Sequence, residues 1–365
     1  MPLLILPALV GTLVDEGGFS ESLAGWVASA NFAGGATAAL LMAFRMHGLD
    51  LRRVATAGLV LSISGDVASA LLAHPGYGFL ALRFLTGFAA SLAHVAASAA
   101  FARHANVERG YGLFITLQFI VSGIGLYVVP VFSATLGVSG MFLMIAGLQF
   151  ATLPLLRSLP GRAIGERPDD HSAEQTILLA AVTLFALLGY GLFESANTAQ
   201  FTYIERWGVA LSLSDERIGV ALMVASLVGI PGAFMVVLIG HRWGYLRPLL
   251  AGMALAVTGL LLLIVTRAYT AYFAAGCFLG FSWAFCLPYI QSLMASIDRN
   301  GSAVAAGSSI ATVGGALGPG LAALVVIGGN YRGVFLLSMF LFAIAAASFV
   351  YSRSRANAPA PEAVP

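Results

Sequence analysis

The chain contains no lysine, so all 18 of its basic residues are arginines. A Walker A phosphate loop and a Schiff-base enzyme both need a lysine side chain, and both are therefore excluded. The sequence also lacks the motifs His-Glu-x-x-His, Cys-x-x-Cys and Gly-x-Ser-x-Gly. We therefore expect no cofactor, no metal site and no enzyme activity, and an ATP-driven pump would need a separate subunit.

Cysteines and charged residues are also scarce. Cys277 and Cys286 are the only cysteines. Nine residues turn a helix through about 900°, so the two thiols point to opposite faces and cannot pair with each other. Charged residues make up 9% of the chain and hydrophobic residues 59%, whereas a soluble domain contains about 25% charged residues. The net charge of +2 is too small to predict a nucleic-acid partner.

Long apolar runs dominate the chain instead. Most are near 20 residues in length, which lets a helix cross about 30 Å of hydrocarbon. They do not alternate between polar and apolar residues as a membrane barrel requires. The runs predict an all-α integral membrane protein with about twelve transmembrane helices at 1–14, 22–44, 53–73, 77–103, 109–133, 138–156, 176–204, 218–240, 246–266, 268–297, 303–327 and 333–351.

The chain also contains an internal repeat. Residues 20–65 align with residues 214–259 without a gap, and 10 of these 46 positions are identical. An internal repeat indicates two copies of one structural unit related by pseudo-two-fold symmetry. The most informative identities, because both residue types are scarce here, are His47 with His241 and Arg53 with Arg247.

The repeat and the polar segments predict the domain organisation. We expect an N-terminal six-helix bundle over 1–156, a cytoplasmic linker over 157–175, a C-terminal six-helix bundle over 176–351 and a disordered cytoplasmic tail over 352–365. The first helix, 1–14, would span only about 20 Å, which is too short to cross a membrane. We therefore expect helix 1 to be truncated.

The distribution of arginines predicts the orientation. With the linker in the cytoplasm, 13 arginines lie in cytoplasmic segments, four lie in external segments, and Arg83 lies within a span. Arg206 is one of the four external residues in this count. Because positive residues are retained inside, the pattern predicts a bacterial-type cytoplasmic (inner) membrane with both halves ending in the cytoplasm.

Three motifs, together with twelve spans in two halves, resemble the major facilitator superfamily of secondary transporters. The turn GHRWGYLRP at 240–248 is similar to that family's Gly-x-x-x-Asp-Arg-x-Gly-Arg-Arg loop, without its aspartate. RFLTGFAAS at 83–91 is similar to the Arg-x-x-x-Gly pattern of the fourth helix, and GALGPG at 315–320 to a Gly-Pro motif. In drug antiporters the Gly-Pro motif belongs in span five, so its position in span eleven disfavours that class.

The resemblance implies a mechanism and a site. Members of the family work by alternating access, in which two bundles rock around a central site lined mainly by helices 1, 4, 7 and 10. It also implies gating loops after the second and eighth spans, and the candidate loop residues are Arg52, Arg53, Arg242 and Arg247.

Charged residues inside the spans are the first functional candidates, because each costs at least about 2.5–3.5 kcal/mol to insert. Asp66 and Arg83 lie at nearly equal depth in spans three and four, so we predict an ion pair between them. The pair either fixes helix packing or acts as a coupling or gating charge. His94 follows Arg83 by 11 residues, or about 1100°, and shares its helix face. His94 either passes protons or joins two helices by a hydrogen bond.

Glu194 in span seven is the leading candidate for a protonatable coupling residue or for a contact to a cationic solute group. Asn197 follows at i+3 and extends the same polar face. The alternative is an interfacial carboxylate that water reaches. Gln118 in span five and Asn31 in span two either bind the solute or hold helices together.

These residues together predict a permease of the symporter type. It would move a small organic solute by alternating access, with the proton as coupling ion. We expect a monomer whose partners are the solute, protons and the lipid bilayer. Two alternatives remain open: a truncated product that does not transport, and an efflux antiporter for drugs or metabolites.

Overall fold

The computed structural model describes residues 2–45, 49–101, 107–159, 178–240, 242–297 and 302–356, and within these ranges it contains helices and no strands. The described residues do not include the aligned histidines His47 and His241, most of the linker or most of the tail. The α-helices are α1 Leu6–Asp15, α2 Glu21–Arg45, α3 Leu51–Leu71, α4 Tyr77–Phe101, α5 Val107–Thr152, α6 Leu178–Ala210, α7 Asp215–Leu227, α8 Gly229–Ile239, α9 Leu246–Val265, α10 Tyr269–Ile297, α11 Ser302–Val325 and α12 Tyr331–Ala356.

Three helices, α5, α7 and α8, do not correspond one to one with predicted spans. Helix α5 covers predicted spans five and six, and its helical geometry breaks at Gly137, where φ is +57°. Glycine suits this position because it has no Cβ to clash in the left-handed region. Helices α7 and α8 follow each other directly and together cover predicted span eight.

By length and composition, eight helices of the described chain can cross a membrane. Helix α6, which is 33 residues long, is not among these eight. The number of twelve crossing helices therefore stays a prediction. The short helix α1 has 10 residues, preceded by a 3-10 turn at Pro2–Ile5.

Residues matched by the repeat have the same local roles in both halves. Ser20 Oγ accepts a hydrogen bond from the Leu23 amide at 3.2 Å, and Ser214 Oγ accepts one from the Arg217 amide at 3.4 Å. Both serines therefore cap the start of a helix. Ser20 and Ser214 are partners in the 194-residue alignment, so the alignment describes a real structural correspondence at these two helix starts.

Close helix contacts also recur in both halves. Gly87 of α4 lies against the backbone carbonyl of Asn31 in α2, and Gly280 of α10 lies against the carbonyl of Ala225 in α7. A methyl group at either glycine would overlap that carbonyl. Asn31 and Ala225 are again aligned partners. Small residues let membrane helices approach closely, and here they bring α2 to α4 and α7 to α10.

The same kind of contact joins α6 to α11. Gly314 lies against the Gly191 carbonyl, and Gly318 lies against Ser195 and Thr198. Ser195 Oγ also donates to the Gly314 carbonyl at 2.8 Å. The glycine-rich stretch of span eleven therefore mediates close contacts between α6 and α11.

Candidate functional site

The predicted ion pair of the first half, α1–α5, is present. Arg83 Nη1 lies 2.6 Å from Asp66 Oδ1, and the two side chains are 1% and 0% exposed. The same Nη1 donates to Ser69 Oγ at 3.0 Å, and Nη2 donates to Asn31 Oδ1 at 2.8 Å. The guanidinium thus connects α2, α3 and α4, and the prediction of a pair between spans three and four is confirmed.

The second part of α5 completes this network, which the sequence reasoning missed. Gln149 Nε2 donates to the other Asp66 oxygen, Oδ2, at 2.6 Å. The ring of Phe142 lies 4.9 Å from Arg83 Cζ, at a distance where a cation interacts favourably with an aromatic face. Gln149 was visible in the sequence as a polar side chain inside an apolar run, but nothing in the sequence pointed to its partner.

The Arg83 network leaves its charges fully paired. Both carboxylate oxygens of Asp66 accept a hydrogen bond, and Arg83 donates to three side chains on two neighbouring helices. A narrow cavity beside the network has room for about one water molecule. Its lining residues are Leu6, Leu9, Val27, Ala28, Asn31, Phe32 and Arg83.

In the second half, α6–α12, the candidate site contains a buried carboxylate. Glu194 of α6 is 9% exposed, and the Trp283 indole of α10 donates to its Oε2 at 3.4 Å. No arginine or histidine lies within ion-pair distance of this carboxylate among the described residues. One turn earlier on α6, the buried Tyr190 lies beside the Gln291 side chain of α10.

Aromatic rings surround Glu194 on the side of α10. Trp283 packs edge-to-face against Phe119 of α5, with ring centroids 6.1 Å apart and an interplanar angle of 78°. Glu194 therefore lies where α6, α10 and α5 meet, between the two halves of the chain. Asn197, predicted to share its polar face, is buried and donates to its own helix at the Phe193 carbonyl, 2.8 Å away.

On α4 and α10, some polar side chains other than Glu194's immediate neighbours are accessible to solvent. Gln291 is exposed although it lies beside Tyr190 of α6, and His94 is exposed although it shares a helix face with the buried Arg83. Gln118 is half-buried. We use the word cleft for this solvent-accessible region of α4 and α10, which carries His94 and Gln291.

At the opposite end of the helical bundle, contacts between the two halves close the structure. We call it the Asp15 face, formed by the end of α1, the start of α2, the end of α6 and the start of α12. Arg206 Nη1 lies 2.6 Å from Asp15 Oδ2. Tyr203 donates to the Glu21 carbonyl at 2.8 Å, and the Tyr331 hydroxyl donates to the Glu21 side chain.

The helix at this face is longer than predicted span seven, which ended at 204, because α6 continues to Ala210. The external position of Arg206 stays a prediction. Glu205 and Arg206 are 5% and 7% exposed. Arg206 can be buried because Asp15 of α1 neutralises its charge. The carboxylate of Glu205 can be buried because Gly11 of α1 has no side chain at the position that this carboxylate occupies. Both partners are far away in sequence, so the span pattern could not reveal them.

The predicted gating-loop arginines lie at the end of the helical bundle that is opposite the Asp15 face. Arg52 donates from Nε and Nη2 to the Leu159 carbonyl, at 2.9 and 2.6 Å. Arg53 is exposed and lies 3.3 Å from Asp50, which also caps α3. Arg242 and Arg247 are exposed. Their role in gating stays a prediction.

Cys277 is half-buried and Cys286 is buried, and both are free thiols. Among the described residues, no group of three or more His, Cys, Asp or Glu side chains could hold a metal ion.

Comparison with known proteins agrees with this architecture. A crystal structure of a mutant of the nucleoside transporter NupG superposes with a TM-score of 0.77 over 96% of each chain, at 13% sequence identity. The chain is also 27% identical over 273 residues to the uncharacterised MFS-type transporter YceJ of Bacillus subtilis (strain 168). That match covers 69% of this chain and 66% of YceJ, just under two thirds of its length.

The family model of the Major Facilitator Superfamily matches residues 3–306, which is most of the chain. The helical fold, the candidate membrane spans and this match agree with the resemblance seen in the sequence motifs. They support an integral membrane protein with the fold of this family. The chain belongs to the Major Facilitator Superfamily.

Proposed function

We propose that this chain moves a small organic solute across a bacterial-type cytoplasmic membrane by alternating access, and that Glu194 couples the movement to protons. The observation that carries the proposal is the position of Glu194. It is a buried carboxylate between α6 and α10, with an indole as its hydrogen-bond donor and no basic partner among the described residues. Uncompensated carboxylates inside membrane proteins are typical of proton and ion pathways.

The distribution of contacts supports a two-state cycle. The Asp15 face is joined across the halves by Asp15–Arg206 and by the bonds of Glu21 to Tyr203 and Tyr331. The inward faces of α4 and α10 are accessible at His94 and Gln291. In the proposed cycle these contacts break when the cleft closes around His94 and Gln291, so Glu194 is exposed to each side in turn.

The remaining expectations from the sequence belong to the same proposal. Two six-helix bundles, 1–156 and 176–351, would rock around the Glu194 region as a monomer, with the linker 157–175 and the tail 352–365 in the cytoplasm. The basic loops around Arg53 and Arg247 would stabilise one state. His94 would pass protons between the cleft and the membrane interior.

The Arg83 network has a positioning role in this proposal. Because Arg83 donates to Asp66, Ser69 and Asn31, and Gln149 donates to Asp66, the network would hold α2 to α5 together as one body that moves as a unit. A coupling role would instead require Asp66 or Arg83 to exchange its partner during the cycle.

The test is transport by protein reconstituted into liposomes that contain a pH-sensitive dye. A thermal-shift screen of metabolites first identifies a stabilising solute, and nucleosides belong in the panel because NupG is a nucleoside transporter. We expect the solute gradient to move protons in the wild type and not in Glu194→Gln. Glu216→Gln is the matched control, because Glu216 is exposed at the start of α7.

Two results would contradict parts of the proposal. Solute-driven proton movement that is unchanged in Glu194→Gln would remove this residue from the coupling mechanism. A protein that is folded in the membrane and moves no solute from the panel would favour the alternative of a product that does not transport. The second alternative, an efflux antiporter, predicts that solute and protons move in opposite directions in the same assay.

A further inference from the structure

A cavity at the end of the bundle that carries the Asp15 face has no part in the transport cycle proposed above. Its volume is about 430 Å³, which is within the range of small-molecule sites. It opens between the turn after α1, the end of α3 and the break of α5, so it belongs to the first half of the chain. The lining residues are Glu16, Gly17, Ala70, Leu71, Ala73, His74, Leu136, Gly137, Val138 and Ser139.

We propose that this cavity binds the headgroup of a membrane phospholipid that carries a primary ammonium group, the chemistry of phosphoethanolamine. In the bound state the ammonium lies at the carboxylate of Glu16, and the phosphate accepts a hydrogen bond from the imidazole of His74. The acyl chains run past Leu71 and Leu136 into the bilayer. Binding is noncovalent, and the site is separate from the solute site proposed at Glu194.

The cavity lies at the depth of lipid headgroups. Helix α3, Leu51–Leu71, is a candidate membrane span of 21 residues, which extend about 31 Å as a helix. This length matches the hydrocarbon core of a bilayer, so the residues that follow Leu71 enter the headgroup layer. His74 is three residues beyond Leu71, and Glu16 directly follows the last residue of α1.

Packing inside the first half fixes the walls of the cavity. Ser139 Oγ donates to the Ala70 carbonyl at 2.6 Å and thereby ties α5 to the end of α3. Gly17 lies against Val138, and a methyl group at Gly17 would come within 3.0 Å of that side chain. A methyl group at Gly137, by contrast, would meet no described atom within 4 Å. The site is therefore preformed and open at Gly137, which lowers the cost of ordering a ligand.

The edge of the cavity favours a lipid over a soluble ligand. Leu71 and Leu136 line this edge and are exposed, and they lie at the ends of two predicted spans. The neighbouring Leu72 is exposed as well. A lipid whose headgroup occupies the cavity covers these leucines with its acyl chains, whereas a soluble ligand would not bury them.

The charged groups of the cavity select the headgroup. Anionic headgroups are bound by clusters of Lys and Arg, but the chain has no lysine and none of the described lining residues is an arginine. The carboxylate of Glu16 would also repel an anionic headgroup. A zwitterionic headgroup fits both polar groups, because Glu16 accepts hydrogen bonds from an ammonium and His74 donates one to a phosphate oxygen.

A primary ammonium fits this cavity better than a quaternary one. A primary ammonium has three N–H donors for a carboxylate, whereas a trimethylammonium group has none and is typically bound by a cage of aromatic rings. None of the described lining residues is Phe, Tyr or Trp. The cavity should therefore discriminate between zwitterionic lipids by the number of N–H groups on the ammonium.

Lipid binding to the purified full-length protein in one neutral detergent tests the proposal. The probes are dioleoyl lipids with identical chains: phosphatidylethanolamine, N,N-dimethylphosphatidylethanolamine, phosphatidylcholine and phosphatidylglycerol. Native mass spectrometry counts the bound lipid at equal lipid concentrations. We expect phosphatidylethanolamine to bind about 10- to 100-fold more tightly than phosphatidylcholine or phosphatidylglycerol, with the dimethyl lipid between, because charge-assisted hydrogen bonds to Glu16 are lost. Soluble phosphoethanolamine should not displace the bound lipid.

Variants locate the binding in the cavity. Glu16→Gln should abolish the preference for phosphatidylethanolamine over phosphatidylcholine, and His74→Ala should weaken the binding of both lipids. Ala73→Trp should fill the cavity and prevent binding. Glu216→Gln, which changes an exposed carboxylate at the start of α7, is the matched control and should bind like the wild type. A melting temperature close to that of the wild type shows that each variant is folded, and the lipid series on the wild type needs no variant.

Each other result overturns the inference. These results are equal binding of phosphatidylethanolamine and phosphatidylcholine, tighter binding of phosphatidylglycerol, an unchanged preference in Glu16→Gln, or unchanged binding in Ala73→Trp. Displacement of the lipid by soluble phosphoethanolamine would show that the cavity takes a soluble ligand, and it would overturn the membrane source. None of these measurements involves a transported solute, so the lipid site and the proposed function fail separately.

Discussion

Replacing Asp66 by Asn tests whether the Arg83 network is a charge-compensated structural unit. Asn keeps the shape of the side chain and can still accept a bond from Arg83 Nη1, which lies 2.6 Å from Asp66 Oδ1. It removes the negative charge, however, and turns the acceptor that faces the Gln149 amide at 2.6 Å into a possible donor. Arg83 would then be a buried cation with only neutral partners.

The burial of the pair sets the expected magnitude. Removing one partner of a buried ion pair costs about 3–5 kcal/mol, because the other charge is left uncompensated. Both partners here are essentially inaccessible, at 0% and 1% exposure. The exposed pair Asp50–Arg53 is the matched comparison: its atoms are 3.3 Å apart and the Arg53 side chain is 88% exposed. Exposed pairs contribute less than about 1 kcal/mol.

Thermal unfolding of the purified variants, followed by tryptophan fluorescence, measures the difference. We expect Asp66→Asn to lower the melting temperature strongly and Asp50→Asn to change it little, since Asn also caps helices well. The double variant Asp66→Asn with Arg83→Gln should recover part of the loss, because it removes the uncompensated cation. Equal losses in Asp66→Asn and Asp50→Asn, or no recovery in the double variant, would refute the reasoning.

Two further predictions concern helix packing and the closed face. Gly87→Ala should lower the melting temperature, because the new methyl group would overlap the Asn31 carbonyl, whereas Gly78→Ala, which adds a methyl group in open space, should not; equal effects would contradict this. Asp15→Asn should loosen the Asp15 face by removing the partner of a buried arginine. In a cysteine-free background it should speed maleimide labelling of Ala24→Cys, a position with 0% exposure, and an unchanged rate would show that the ion pair does not hold this face closed.

The helical membrane fold could be predicted from the sequence because the physical requirement is local. Each span needs about 20 apolar residues, and this property can be read from any window of the chain. The predicted spans fall on the observed helices, and the gap between predicted spans five and six contains the break at Gly137. The Asp66–Arg83 pair was also predictable, because the short turn between α3 and α4 fixes their relative depth.

The candidate site was predictable only in part. Glu194 stood out because a carboxylate inside an apolar span is costly and therefore rare. Its partner Trp283 lies 89 residues away, and it could not be distinguished from an ordinary packing aromatic. The sequence likewise could not show that Asn197 turns back to bond its own helix, or that Gln149 completes the Arg83 network.

Composition, span length and short motifs are properties of contiguous residues, so they were enough to predict the fold class, the family and the scarcity of charge inside the membrane. Which of the few buried charges are compensated became visible only in the packed helices. Asp15 and Arg206 are 191 residues apart in the chain and yet 2.6 Å apart in space. Whether a buried charge is free to bind a proton or a solute depends on such distant neighbours, and helix packing brings them together.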